Sequence, residues 1–283
     1  MIESEVEPEH DLSEQLELFR EGHPVHQVTS SGMEWDFLVG GSGDQTVLLM
    51  PGLGGKAEDL FTLMAALEDE FRVVSVGLPD DFSHVPDLNH ALALILDDQR
   101  IREVCLLGHS LGGMFAECFM LQFPERVDGM ILANMAHPGT FREIVLRAVL
   151  GIAPFLPRDW INKQLAYGFR RLLLGSPDEE FWAPFLADGP LLLNKAAFDS
   201  RIDSILDVLP RYPTKLLDID AWRRRVLILE SDNDIAFTPV ERNALRELYP
   251  QAVSHVFLEA GHLSPYTQPD EFAAVVRSFL GQY

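Results

Sequence analysis

The chain has 283 residues, 47% of them hydrophobic and 23% charged, a balance that builds a large globular core without disulfide or metal staples. Its net charge of −22 argues against a protein that tracks a nucleic-acid backbone and also disfavours docking on anionic membrane lipid. The two cysteines, Cys105 and Cys118, lie in apolar runs and read as buried thiols, which points to a reducing compartment. No basic-then-apolar leader opens the sequence and no apolar run reaches the length of a bilayer span, so a cytoplasmic location is expected.

In chain order, Met1 to His10 is acidic, lacks apolar periodicity and is expected to be loosely attached. Leu12, Leu16 and Phe19 fall at helical spacing, so a short amphipathic helix is expected from Asp11, packed on the main domain. A repeating pattern starts at Val28. Strands are expected at Trp35–Val39, Thr46–Met50, Arg72–Val76, Val104–Leu107 and Gly129–Asn134, with helices at Ala57–Leu67, Leu88–Leu96 and Ser110–Gln122 between them. Strands this apolar need cover on both faces, and alternation with helices implies a mostly parallel sheet flanked on both sides.

Between about Pro138 and Trp222 the strand signal stops, and helical clusters separated by prolines take over, as expected of a cap over a site. Phe155, Trp160, Phe181, Trp182, Phe185 and Leu191 would supply its apolar walls and core. The alternation resumes with a strand at Arg225–Leu229, a helix at Pro239–Leu248, a strand at Ser254–Phe257 and a closing helix at Pro269–Leu280. The expected division is an N-terminal extension (1–27), a core of 28–137 and 223–283, and a helical cap (138–222).

Gly108-His109-Ser110-Leu111-Gly112 has the form G-x-S-x-G, set between an apolar strand and an apolar helix. A serine at such a turn stands clear at the carboxyl end of the sheet, above a helix N-terminus that favours developing negative charge. His109 is the variable position of the motif and receives no role. Pro51-Gly52-Leu53-Gly54-Gly55 closes an earlier strand. Acyl transfer needs two backbone N–H donors aimed at the oxyanion, and those of Leu53 and Leu111 are the candidates. His262, in the loop after the last strand, is the candidate base, and Asp234, after the strand Arg225–Leu229, the candidate acid. Asp232 lies in the same loop and is the competing acid. No metal-ligand spacing or P-loop appears, and Gly52-Leu53-Gly54 with Ala57 is a weak dinucleotide signal, so no metal or other cofactor is expected. The expected partner is a small-molecule substrate; no nucleic acid or membrane span is expected, and a protein partner stays open.

With these parts placed, the chain resembles the α/β-hydrolase superfamily from about Val28 onward, most specifically in Gly108 to Gly113 and Ala260-Gly261-His262, and Phe123-Pro124-Glu125-Arg126-Val127 suits the helix-to-strand turn this superfamily uses. The resemblance implies an α/β-hydrolase fold with a mostly parallel sheet and a helical cap insertion. A narrower likeness is to maspardin-like proteins, in Ser110-Leu111-Gly112-Gly113, Ile131-Leu132-Ala133-Asn134, Ser200-Arg201, Leu248-Tyr249-Pro250 and Pro265-Tyr266. That branch implies an intracellular binding protein with incomplete catalytic machinery, whereas this chain keeps the histidine and an aspartate. It departs from the superfamily in Pro51, where many members carry histidine, and in Gly77-Leu78-Pro79-Asp80-Asp81, which lacks the usual glycine-rich turn. The expected function is a serine hydrolase of small to medium apolar carboxylic esters or thioesters. The same residues also serve carbon–carbon bond hydrolysis, and the alternative outside catalysis is a maspardin-like binding or scaffold protein. Ser110 stands where haloalkane dehalogenases and epoxide hydrolases use aspartate.

Overall fold

The apolar strands receive cover on both faces. The structure is a computed structural model describing residues 11–137, 140–173, 176–187, 195–212 and 225–281. It begins with α1 (Leu12–Gly22), followed by β1 (His26–Ser30), β2 (Met33–Gly40), β3 (Thr46–Met50), α2 (Phe61–Leu67), β4 (Arg72–Val76), α3 (Val85–Asp98), β5 (Val104–His109), α4 (Leu111–Gln122) and β6 (Val127–Ala133). Among the described residues the helices α5 (Thr140–Ile152), α6 (Arg158–Leu173), α7 (Glu179–Ala187) and α8 (Lys195–Val208) follow. The chain then adds β7 (Arg225–Ser231), α9 (Pro239–Leu248), β8 (Val253–Phe257) and α10 (Pro269–Leu280). The expectations for Met1–His10 and Leu191, and both ends of the expected cap, lie outside the described residues.

The eight strands form one sheet in the order β1-β2-β4-β3-β5-β6-β7-β8. The pairs β1–β2 and β2–β4 are antiparallel and the rest parallel. This is the mostly parallel, helix-flanked sheet expected from the strand pattern. Alternate residues serve opposite faces. Leu48, Met50, Val104 and Leu106 pack toward α3, α4 and α9, while Val47, Leu49, Cys105 and Leu107 pack toward α1, α2 and α10. Both cysteines are free and buried, and burial pushes both thiols up.

Several boundaries differ from expectation for local reasons. The β1–β2 hairpin turns at Ser31 and Gly32, both at positive φ (54° and 79°), so the sheet starts at His26. The segment before α2 is a tight turn, because the Asp59 carboxylate accepts the Lys56 N–H and the Asp59 N–H donates to the Lys56 carbonyl. The helix α3 starts three residues early, since Asp207 of α8 accepts the Val85 N–H at 2.8 Å and Pro86 suits a first turn.

The helix behind Ser110 also carries a buried polar cluster. Glu117 of α4 is fully buried and accepts from Tyr249 Oη and from His137 Nε2, both at 2.7 Å. The His137 ring packs on Tyr212 at 4.5 Å. His137 follows β6 and Tyr249 follows α9, so one carboxylate joins the ends of both, with Tyr212 from the end of α8 packed on the His137 ring.

Candidate active site

Ser110 sits between β5 and α4 at φ 53° and ψ −117°, a conformation that costs about 1–3 kcal/mol and persists only where its surroundings enforce it. Two glycines do so. A Cβ on Gly108 would stand 2.4 Å from the Gly112 carbonyl oxygen, and one on Gly112 would stand 2.2 Å from the Met50 carbonyl oxygen. The Ser110 N–H donates to the Ala133 carbonyl at 2.9 Å, which ties the turn to β6. The strain lifts the hydroxyl out of the sheet, toward the loop after β8.

His262 meets it there. Ser110 Oγ and His262 Nε2 are 2.9 Å apart, and His262 Nδ1 is 2.9 Å from Asp234 Oδ2. The second contact places a proton on Nδ1 and leaves Nε2 free to accept from the serine. Asp234 is buried, which alone would raise its carboxyl. The hydrogen bond and charge of His262, the Ala236 N–H at 2.7 Å and Arg242 more than offset this and hold it below the usual aspartate range. An imidazole so held can take a proton from the serine while the carboxylate stabilises the imidazolium.

Asp232 lies elsewhere. It is exposed, and its carboxylate accepts the Glu259 N–H at 2.8 Å. Asn233 beside it accepts the Gly261 N–H at 2.7 Å. These two side chains therefore clamp the backbone of the histidine loop, and Asp234 alone of the three reaches the ring.

Two residues without an expected role hold the same loop from beneath. His109 is buried, and its Nε2 donates to the His262 carbonyl at 3.1 Å. Burial and the neighbouring His262 push its pKa down to about 3, so the ring stays neutral. Asn134, which ends β6 at φ 44°, donates to the Gly261 carbonyl and to Ser231 Oγ, and accepts from Ser264 Oγ. A polar residue closing an apolar strand at the sheet's carboxyl edge was the signal for Asn134. The variable position of a motif offers none for His109.

The loop 51–55 runs alongside the serine. A Cβ on Gly52 would lie 3.5 Å from Ser110 Cβ, and one on Gly112 would lie 2.6 Å from the Pro51 carbonyl oxygen. Gly52 of the loop therefore lies beside Ser110, and Leu111 follows Ser110 in the first turn of α4. The side chain of Leu53 packs under Ile161, Phe198 and Ile202 of the helical insert. Trp182 is buried against Phe61 and Tyr266, with Phe181 and Phe185 beside it, whereas Phe155 and Trp160 face outward. A cleft of about 500 Å³, lined by Arg171, Leu172, Ile235 and Ala260 among others, opens beside His262. Among the described residues no group of three or more His, Cys, Asp or Glu is placed to hold a metal ion, and no helix is long and apolar enough to cross a membrane.

The sheet order, the elbow and the loops at the carboxyl edge define a class, and comparison with known proteins agrees. A family model described as "Alpha/beta hydrolase family" matches residues 47–275, and the chain belongs to that family. Esterase YbfF of Escherichia coli K12 is 23% identical over 246 residues, covering 83% of this chain and 92% of that one. The 2-hydroxy-6-oxononadienedioate/2-hydroxy-6-oxononatrienedioate hydrolase of the same organism is 25% identical over 274 residues, covering 86% and 89%. Among solved structures, the enol-lactonase from Burkholderia xenovorans LB400 superposes with a TM-score of 0.74 at 19% identity, covering 91% of this chain and 100% of that one. A hydrolase from Pseudomonas aeruginosa PA01 gives 0.75 at 20%, covering 91% and 98%. These likenesses to solved structures speak for the fold.

Proposed function

We propose that the chain is a serine hydrolase cleaving a carboxylic ester or thioester of a small to medium apolar substrate. The observation that carries this reading is the unbroken relay from a strained Ser110 through His262 to a buried Asp234, with 2.9 Å at each step. In the proposed reaction His262 Nε2 takes the Ser110 proton as Oγ attacks the substrate carbonyl. The N–H groups of Leu53 and Leu111 receive the developing oxyanion, each contributing about 3 kcal/mol of transition-state stabilisation. His262 then gives its proton to the leaving alcohol or thiol, and an acyl-Ser110 ester remains. A water that loses a proton to His262 attacks this ester, and the acid and the free serine result. Leu53, Phe198 and Ile202 supply apolar wall on the insert side.

The test is labelling with a fluorophosphonate probe, read by intact mass. One adduct on the wild-type chain and none on Ser110→Ala is expected. A folded wild-type protein that takes no adduct would turn the reading toward a non-catalytic binding protein.

A further inference from the structure

Charge is not spread evenly along this chain. From residue 140 to residue 173, across α5 and α6, the sequence holds six basic residues and two acidic ones, in a chain whose net charge is −22. The same stretch exposes an apolar tip where the two helices meet. Val149, Ile152, Phe155, Leu156 and Trp160 are 58%, 58%, 86%, 38% and 53% exposed. The helix is nonetheless seated: Leu150, on the opposite side of α5, packs against the cluster of Ile161, Phe198 and Ile202. Along α6 the exposed residues continue as Trp160, Lys163, Tyr167, Arg170 and Arg171, with the Arg171 guanidinium 6.0 Å from the Tyr167 ring centre.

We propose that this tip docks on an anionic lipid surface. Ile152, Phe155, Leu156 and Trp160 would enter the interface, with Lys163 and then Arg170 along the exposed face of α6 toward the lipid headgroups. Exposed aromatic and aliphatic side chains bordered by cations match the composition of interfacial helices. The unfavourable total charge does not decide the matter. The field of a lipid surface reaches only about 8 Å at physiological ionic strength, so the local excess of cations governs contact. The acidic remainder of the chain turns the tip toward the surface. A two-fold dimer through the tip is the poorer occupant, because an isologous interface would set this basic stretch against its own copy. The proposal does not rest on the chemistry of Ser110.

The test is flotation of the full chain with vesicles of phosphatidylcholine alone and of phosphatidylcholine with phosphatidylglycerol, at low and high salt. Binding to the anionic vesicles is expected to exceed binding to the neutral ones by about tenfold or more, and to fall with salt. The double variant Phe155→Ser/Trp160→Gln should lose that binding while keeping its circular dichroism and melting temperature. Lys163→Glu/Arg170→Glu should lose only the preference for anionic lipid. Ser110→Ala should bind like the wild type, so a failure of hydrolysis and a failure of docking are read separately. Three results would overturn the proposal: folded wild-type protein that floats with neither vesicle, equal binding to both, or a dimer that the Phe155/Trp160 variant converts to monomer without any lipid binding.

Discussion

The side-chain amide of Asn134 donates to the Gly261 carbonyl at 3.2 Å and so joins the end of β6 to the residue before His262. The same side chain serves Ser231 and Ser264, both fully buried. Asn134→Ala would leave these groups short of partners, at about 1–3 kcal/mol for each one stranded. The expected result is a melting temperature lower by several degrees, at about 2–4 °C per kcal/mol for a chain of this size, and probe labelling of Ser110 slowed about tenfold. Labelling at the wild-type rate would show that the histidine loop keeps its place without this amide.

Asp234→Asn and Asp232→Asn should separate cleanly in kinetics on an activated ester. Loss of the carboxylate that faces His262 Nδ1 is expected to lower kcat by about 10⁴-fold, with the fold intact. Asp232 serves only the loop backbone through the Glu259 N–H, and its amide variant should keep kcat within a few-fold. The reverse ranking would make Asp232 the acid.

Asp59 makes stability depend on pH. It is buried beside Lys56, and burial raises its carboxyl from 3.8 to about 7. Between those values the folded state holds the proton more tightly than the unfolded chain, so this group's contribution to stability falls as pH rises through the window and stays low above it. Asp59→Asn keeps an acceptor for the Lys56 N–H but cannot ionise. Its melting temperature relative to wild type should therefore rise between pH 5 and pH 8, and a difference that stays flat would refute the assignment.

Gly112→Ala tests the contact between the elbow and the loop 51–55. The new methyl would meet the Met50 and Pro51 carbonyl oxygens at 2.2 and 2.6 Å, so either helix or loop must shift. Since both groups are backbone, the expected outcome is a protein several degrees less stable in a thermal melt. It should also label much more slowly than the wild type even where it is folded.

The parallel strands were readable because burial on both faces leaves β3 and β5 almost without polar residues. The hairpin strand β1 was not, since it lies at the sheet edge with exposed residues and His-Gln-Val-Thr-Ser shows no apolar alternation. The positions of Ser110, His262 and Asp234 could be named from a motif, a chain order and two loops. Asp234 was preferred to Asp232 for lying further into the loop; the turn that parts the two carboxylates, in which the Asp232 N–H donates to the Phe257 carbonyl, has no local signature. Helix starts moved because distant groups intervened: Asp207 caps α3 from 122 positions away, a contact that no local pattern records. The outward apolar face of α5 reads in sequence like any core helix, and only the fold shows which side of it is covered.

The Glu117 cluster has a structural consequence. One buried carboxylate joins the end of β6, through His137, and the end of α9, through Tyr249, to α4, and the His137 ring carries Tyr212 from the end of α8. A buried acceptor stripped of a donor is costly. The loss of either donor is therefore felt in the helix that starts immediately after Ser110.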